Sequence, residues 1–312
     1  MRTSAASILR RHRETLGGRL RRIVVRSAAL GIAKAVYVYE PPGHRRGAKT
    51  PVAWLLRGHE REWANIFEDR SRERSTAVEE IDAAIQAGAL PPLVMVLPGL
   101  TSDNNYVHGL GIEMVDPTLA PHVGLGSGRF WTYLTAELIP LIEAHYPATR
   151  RIAAGFSLGG YTATLLAFGR PGWLDVAAFY DALFCWPGHD DPREGGHQPH
   201  GDHVWASSPV LSPAFGWPRD TSALDRWNTT DWLFTLDDDA LDAARRTRYR
   251  VQCAGADGSR GNRDRAHAFA TWLDDRALPR ADVPVTLDAA AQHSWHWADR
   301  FLLDTLRDEL GR

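Results

Sequence analysis

Ser157 stands in Gly155-Phe156-Ser157-Leu158-Gly159, and Gly160 follows directly. The spacing sets a hydroxyl on a turn whose positions two before and two after carry no side-chain bulk. An apolar run, Ile152 to Ala154, precedes the turn, and an apolar helical stretch runs after it to about Phe168. A strand, a sharp turn and a helix in that order lift a hydroxyl above a sheet, where the Leu158 N–H faces a developing oxyanion. A serine hydroxyl is a weak nucleophile at neutral pH. It needs a base within hydrogen-bond reach and an acid that orients the base.

Gly-x-Ser-x-Gly at a strand-to-helix turn is the nucleophile elbow of α/β-hydrolases, where the chain order is Ser, acid, His. Acid and histidine then come from loops after later strands. Asp257 follows an apolar run ending at Ala254, and His293 follows one ending at Leu287. The expected catalytic set is therefore Ser157, Asp257 and His293. Asp264 is the rival acid, nearer the start of the next helix, and His296 is the rival base. The second oxyanion donor is expected from the loop after Val52 to Leu56. The backbone N–H of His59 fits, with Glu60 as the alternative.

Apolar patterning supplies the elements that position these groups. Strands are expected at Ile23 to Arg26, Ala35 to Tyr39, Val52 to Leu56, Leu93 to Leu97, Val176 to Tyr180, Tyr249 to Ala254 and Val283 to Leu287, besides the one before the elbow. Helical periodicity predicts Ser75 to Ala87, Phe130 to Tyr146, Arg263 to Leu278 and Trp297 to Leu310. Pro140 lies inside the second of these and predicts a kink or a restart. This alternation implies an α/β-hydrolase fold: a mostly parallel central sheet with helices on both faces. Residues 1–22 are arginine-rich and read as a solvated arm or helix; residues 23–312 form the hydrolase domain. Residues 181–235 break the rhythm with tryptophans and prolines and read as a lid-like insertion.

Composition excludes several classes. The chain has 312 residues, 44 % of them hydrophobic, enough for a sizeable core. The net charge of −2 gives no footprint for nucleic acid. Two cysteines make no disulfide framework. No apolar run approaches the roughly 18 residues of a membrane span, and the charged N-terminal stretch lacks an apolar signal core, so a cytoplasmic location is expected. No cofactor and no metal are expected. His59-Glu60-Arg61-Glu62 has no matching ligand cluster nearby in sequence, and the His/Asp run from His189 to His203 reads as a polar loop. Trp186, Trp205 and Asn104 are the candidate substrate-binding side chains, the tryptophans for their flat faces. The partner is then a small-molecule ester; the sequence does not speak to oligomeric state.

The stretches VYVYEPPG, PVAWLLRGHEREW, ELIPLIEAHYPATRRIAAGFSLGGYTATLLA and HSWHW together resemble the esterase-D-like α/β-hydrolases. That group includes enterochelin-esterase-type enzymes, feruloyl and acetyl-xylan esterases, S-formylglutathione hydrolases and mycolyltransferases. The resemblance spans about Ser27 to Leu310. It implies Ser157 as nucleophile, His293 as base and an acid at or near Asp257, acting through an acyl-enzyme on a carboxylic ester. Acyl transfer to a sugar or other alcohol is the alternative reaction, and a silent hydrolase fold used for binding is a third reading. Three features depart from the family pattern. Arg57 stands where His or Asp usually precedes the oxyanion-loop glycine. The Ala254-Gly255-Ala256-Asp257 loop is one residue short. The 181–235 segment matches no subfamily.

Overall fold

In the computed structural model the described residues are 4–119, 123–188, 209–256 and 261–311. Seven strands form one sheet: β1 (Arg19–Ser27), β2 (Ile32–Glu40), β3 (Thr50–Leu56), β4 (Val94–Pro98), β5 (Ala148–Phe156), β6 (Val176–Tyr180) and β7 (Arg248–Gln252). Their order is β1-β2-β4-β3-β5-β6-β7. β1, β2 and β4 pair antiparallel, and every pair from β4 to β7 is parallel. The parallel pairs put the C-terminal ends of β3, β5, β6 and β7 along one edge, where an α/β sheet carries its site.

Side chains alternate across the strands and feed two cores. Val36, Val38, Trp54 and Val96 face one side, under Phe130, Leu134, Phe168 and Phe269. Tyr37, Tyr39, Leu55 and Met95 face the other, under Ile81, Phe301 and Leu302. The central strands β3, β4 and β6 are buried on both faces, which is why they read as continuous apolar runs, whereas the edge strand β1 alternates.

Two elements depart from the sequence reading, and one expected helix break is found. The first helix, Ala5–Thr15, is no loose arm: Ile8 and His12 are buried, and His12 Nε2 bonds Ala64 O at 2.7 Å. Its guanidinium-bearing Arg11 also reaches Glu79 at 2.9 Å. Residues 283–287 do not form an eighth strand. Single bridges, Tyr249 to Arg280 and Cys253 to Thr286, replace a ladder, since Pro279 and Pro284 offer no N–H. At Phe130 the chain makes one helical turn, passes through a π-helical stretch, Tyr133–Leu138, and restarts as Ile139–His145. Pro140 sits just past the wide turns, where its missing N–H and ring would disturb an ordinary ladder.

Of the expected insertion, 181–188 and 209–235 are described, and 209–235 folds as short helices on the elbow helix Leu158–Gly169. Tyr161 donates its hydroxyl proton to Trp227 O at 2.7 Å, and Thr164 meets Thr229 at 3.0 Å. Trp227 and Trp232 pack edge-on against Trp131, at 6.1 and 6.2 Å between ring centres. Trp227 and Trp232 thus pack into a small core that the insertion shares with Leu110, Ile112 and Leu165 of the hydrolase body. Among the described residues no helix is long and apolar enough to cross a membrane.

Candidate active site

Ser157 sits between β5 and the helix Leu158–Gly169 with φ 55° and ψ −120°. A non-glycine residue pays for that conformation in strain, and such strain gathers at functional positions. The turn tolerates no bulk beside it. A Cβ on Gly155 would stand 2.2 Å from Gly159 O, and one on Gly159 would stand 2.0 Å from Leu56 O. The Ser157 N–H donates to Tyr180 O, and its carbonyl accepts from Leu183 N–H, each at 3.1 Å. The elbow is thereby tied to the end of β6. Leu158 opens the helix, so its N–H has no acceptor within it.

The end of β6 brings a carboxylate to His293. Asp181 follows Tyr180 directly, has φ 42° and is fully buried. His293 Nδ1–H donates to Asp181 Oδ2 at 2.5 Å. The other carboxylate oxygen accepts the Ala254 N–H at 3.1 Å, and the Asp181 carbonyl accepts from Asn262 at 2.9 Å. The aspartate is held from β7 and from the next helix before it touches the imidazole. The His293 ring lies 4.7 Å from the ring of Phe156, the residue preceding Ser157.

The sequence expectation placed that carboxylate on Asp257, which lies outside the described residues. Asp264 is in the first turn of the helix Asn262–Asp275 and is not the group at His293 Nδ1. Asp181 was missed because it ends a strand that reads as pure core. The rule that sites collect at strand ends applies to β6 as well as β7, and β6 is the immediate neighbour of the serine's strand. The rival base, His296, lies in the helix Trp295–Leu310, its N–H bonded to Ser71 Oγ at 3.0 Å.

The loop after β3 is also at the site. A Cβ on Gly159 would touch Arg57 Cα at 2.6 Å. The His59 N–H, expected as second oxyanion donor, is already bonded to Glu62 Oε2 at 2.6 Å. Glu62 N–H donates back to His59 O, a turn that folds the carboxylate over the amide. The rival Glu60 is buried, and His59 and Lys34 help hold its carboxyl below the usual range despite desolvation.

This loop and the His293 segment are fastened together. Arg72 makes two bonds of 2.6 Å to Asp299 and donates to the carbonyls of Glu62 and Asn65 at 2.7 and 2.8 Å. The helix Trp295–Leu310 has no cap from its own Ser294. Asp69 instead accepts the Trp295 N–H, and Ser71 the His296 N–H, each at 3.0 Å.

The substrate-binding candidates fare differently. Asn104 shapes its own loop, its Oδ1 accepting from the Ser102 hydroxyl at 2.6 Å and the Tyr106 N–H at 3.1 Å. Trp186 packs edge-on against Trp272, 5.8 Å between ring centres. Trp205 and the run from His189 to His203 lie outside the described residues. Among the described residues no three His, Cys, Asp or Glu side chains gather as a metal site.

The family model described as "Putative esterase" matches residues 27–304, most of the chain. The chain belongs to this esterase family. The family and the fold together support a carboxylic-ester hydrolase. A ferulic acid esterase superposes with a TM-score of 0.68 at 17 % identity, covering 94 % of this esterase and 98 % of that chain. An S-formylglutathione hydrolase from Agrobacterium tumefaciens gives 0.63 at 19 % identity, covering 95 % and 97 %. The enterobactin esterase of Shigella flexneri gives 0.54 at 17 % identity; the match covers 93 % of this esterase and 58 % of that larger chain.

Proposed function

We propose that this esterase hydrolyses a small-molecule carboxylic ester through an acyl-enzyme on Ser157. The observation that carries the reading is the buried Asp181 carboxylate at 2.5 Å from His293 Nδ1. With Nδ1 engaged, Nε2 is the nitrogen left to accept the Ser157 proton. Attack by Oγ on the ester carbonyl gives a tetrahedral oxyanion. The Leu158 N–H and the His59 N–H are the donors to it, the second after Glu62 gives up its bond. The imidazolium then protonates the leaving alcohol. Water, deprotonated by the same nitrogen, attacks the acyl-enzyme, and the acid product leaves. Asp181 fixes the imidazole tautomer and stabilises its charged form, as a buried carboxylate behind the ring does in such sets.

Pre-steady-state hydrolysis of p-nitrophenyl acetate tests the reading. A p-nitrophenolate burst that scales with enzyme and disappears in Ser157→Ala is expected. Equal steady turnover without a burst in wild type and Ser157→Ala would refute it.

A further inference from the structure

Arg57 carries an unusual set of unused donors beside the elbow. Its Nε and Nη1 are buried and have no hydrogen-bond partner among the described residues. The side chain is 17 % exposed, so it is neither in bulk water nor fully enclosed. The guanidinium lies 5.4 Å from the centre of the Phe156 ring, the ring against which His293 also packs. The cation and the base therefore share one aromatic neighbour, directly before the serine. Glu62 Oε1 stands 3.9 Å from Arg57 Nε, beyond hydrogen-bond reach, and its other oxygen is taken by the His59 N–H.

A second unused nitrogen borders the same backbone. His108 Nδ1 is buried without a partner and would lie 3.1 Å from a Cβ on Gly58. Burial, with Arg57 nearby, pushes this imidazole down to about 3, so it stays neutral. Buried N–H groups of this kind are rarely left empty in a working protein, and a fixed guanidinium fork suits a carboxylate.

We propose that Arg57, with His108 beside it, binds a carboxylate on the substrate, so that this esterase acts on esters with a free carboxylate close to the scissile bond. The inference rests on the serine-esterase reading and names the substrate class of that site. An anionic group held there anchors one half of the ester while the carbonyl meets Ser157. Anchoring by a charged hydrogen bond contributes about 10- to 100-fold in kcat/KM.

Two matched pairs of esters test it and tell which half carries the charge. p-Nitrophenyl hemiglutarate against p-nitrophenyl pentanoate probes the acyl half. 4-Acetoxybenzoate against 4-acetoxybenzamide probes the alcohol half. The expected result is a preference of about 10-fold or more for one carboxylate ester over its neutral twin. Arg57→Gln should collapse that ratio, and Arg57→Lys should restore part of it, with melting curves confirming both variants fold. No preference for either carboxylate ester in the wild type overturns the inference. So does a preference that persists undiminished in folded Arg57→Gln. Fluorophosphonate labelling in parallel separates the two failures. An enzyme labelled on Ser157 without carboxylate preference leaves the esterase reading standing, whereas an unlabelled enzyme removes that reading too.

Discussion

Asp181 meets His293 from the strand next to the one that carries Ser157, through a 2.5 Å bond between groups 112 residues apart in the chain. The carboxylate and the strained turn thus come from adjacent strand ends, and the imidazole from the loop just before the helix Trp295–Leu310. The Asp181 backbone is itself bonded to Gln252 of β7 at 2.8 Å. A neutral substitute there keeps the shape and loses the charge that steadies the imidazolium. Asp181→Asn is expected to lower kcat by about 10⁴-fold. Asp257→Asn should stay within about 10-fold of wild type, since the position behind His293 is already filled. Steady-state kinetics on both variants check this, and the reverse ranking would return the acid role to Asp257.

Glu62 covers one expected oxyanion donor with a 2.6 Å bond to the His59 N–H. Each turnover on the proposed route must displace that carboxylate. Glu62→Ala should therefore raise kcat/KM for a neutral ester, by about 2- to 10-fold, the worth of one ordinary hydrogen bond. A fall of similar size would mean that Glu62 positions the loop more than it obstructs it.

Arg72 and Asp299 form a buried pair that joins the β3 loop to the helix after His293; their side chains are 1 % and 4 % exposed. Arg72→Met strands a buried carboxylate and should cost about 3–5 kcal/mol in urea unfolding. The double variant Arg72→Met with Asp299→Leu should recover much of that stability, because both charges are then gone. Recovery of stability without recovery of kcat would separate the pair's role in holding the fold from its role in aligning loop and base.

His12 and His108 are both held neutral by burial, His108 down to about 3. In the unfolded chain each titrates near 6.5. Between that value and the lowered one, the unfolded state binds more protons than the folded state. For His108 stability is therefore full above about pH 6.5 and falls as the pH drops through 6, by up to about 1.4 kcal/mol per pH unit, and His12 adds a loss in the same direction. Asp299 acts the other way: burial pushes its carboxyl up to about 6, so the folded state takes up a proton there and gains stability as the pH falls, offsetting part of the histidine loss. Denaturation midpoints at pH 7, 6 and 5 should fall in wild type and fall less in His108→Gln. A flat profile would contradict the burial of these rings.

The sheet and the elbow were legible because burial on both faces leaves an unbroken apolar signature, as in Val52 to Leu56, and because a tight turn demands glycine at 155 and 159. The carboxylate behind His293 was not legible. Nothing local marks Asp181 among Tyr180, Ala182 and Leu183, and its role depends on which strands become neighbours. The same holds for Arg72, whose partner Asp299 is distant in sequence and meets it only after the last helix docks. The first segment was read as a solvated arm or helix because its arginines dominate the composition; it is a helix, and two buried side chains, Ile8 and His12, dock it. At 283–287 apolar content predicted a strand that proline then denied a full ladder.

The central claim is that Ser157 is a nucleophile activated by His293, and intact-mass analysis after treatment with a fluorophosphonate tests it most directly. One adduct is expected on the wild-type chain, mapped to Ser157, absent from Ser157→Ala and formed far more slowly in His293→Ala. An unmodified wild-type chain, or an adduct on another residue that survives Ser157→Ala, would contradict it.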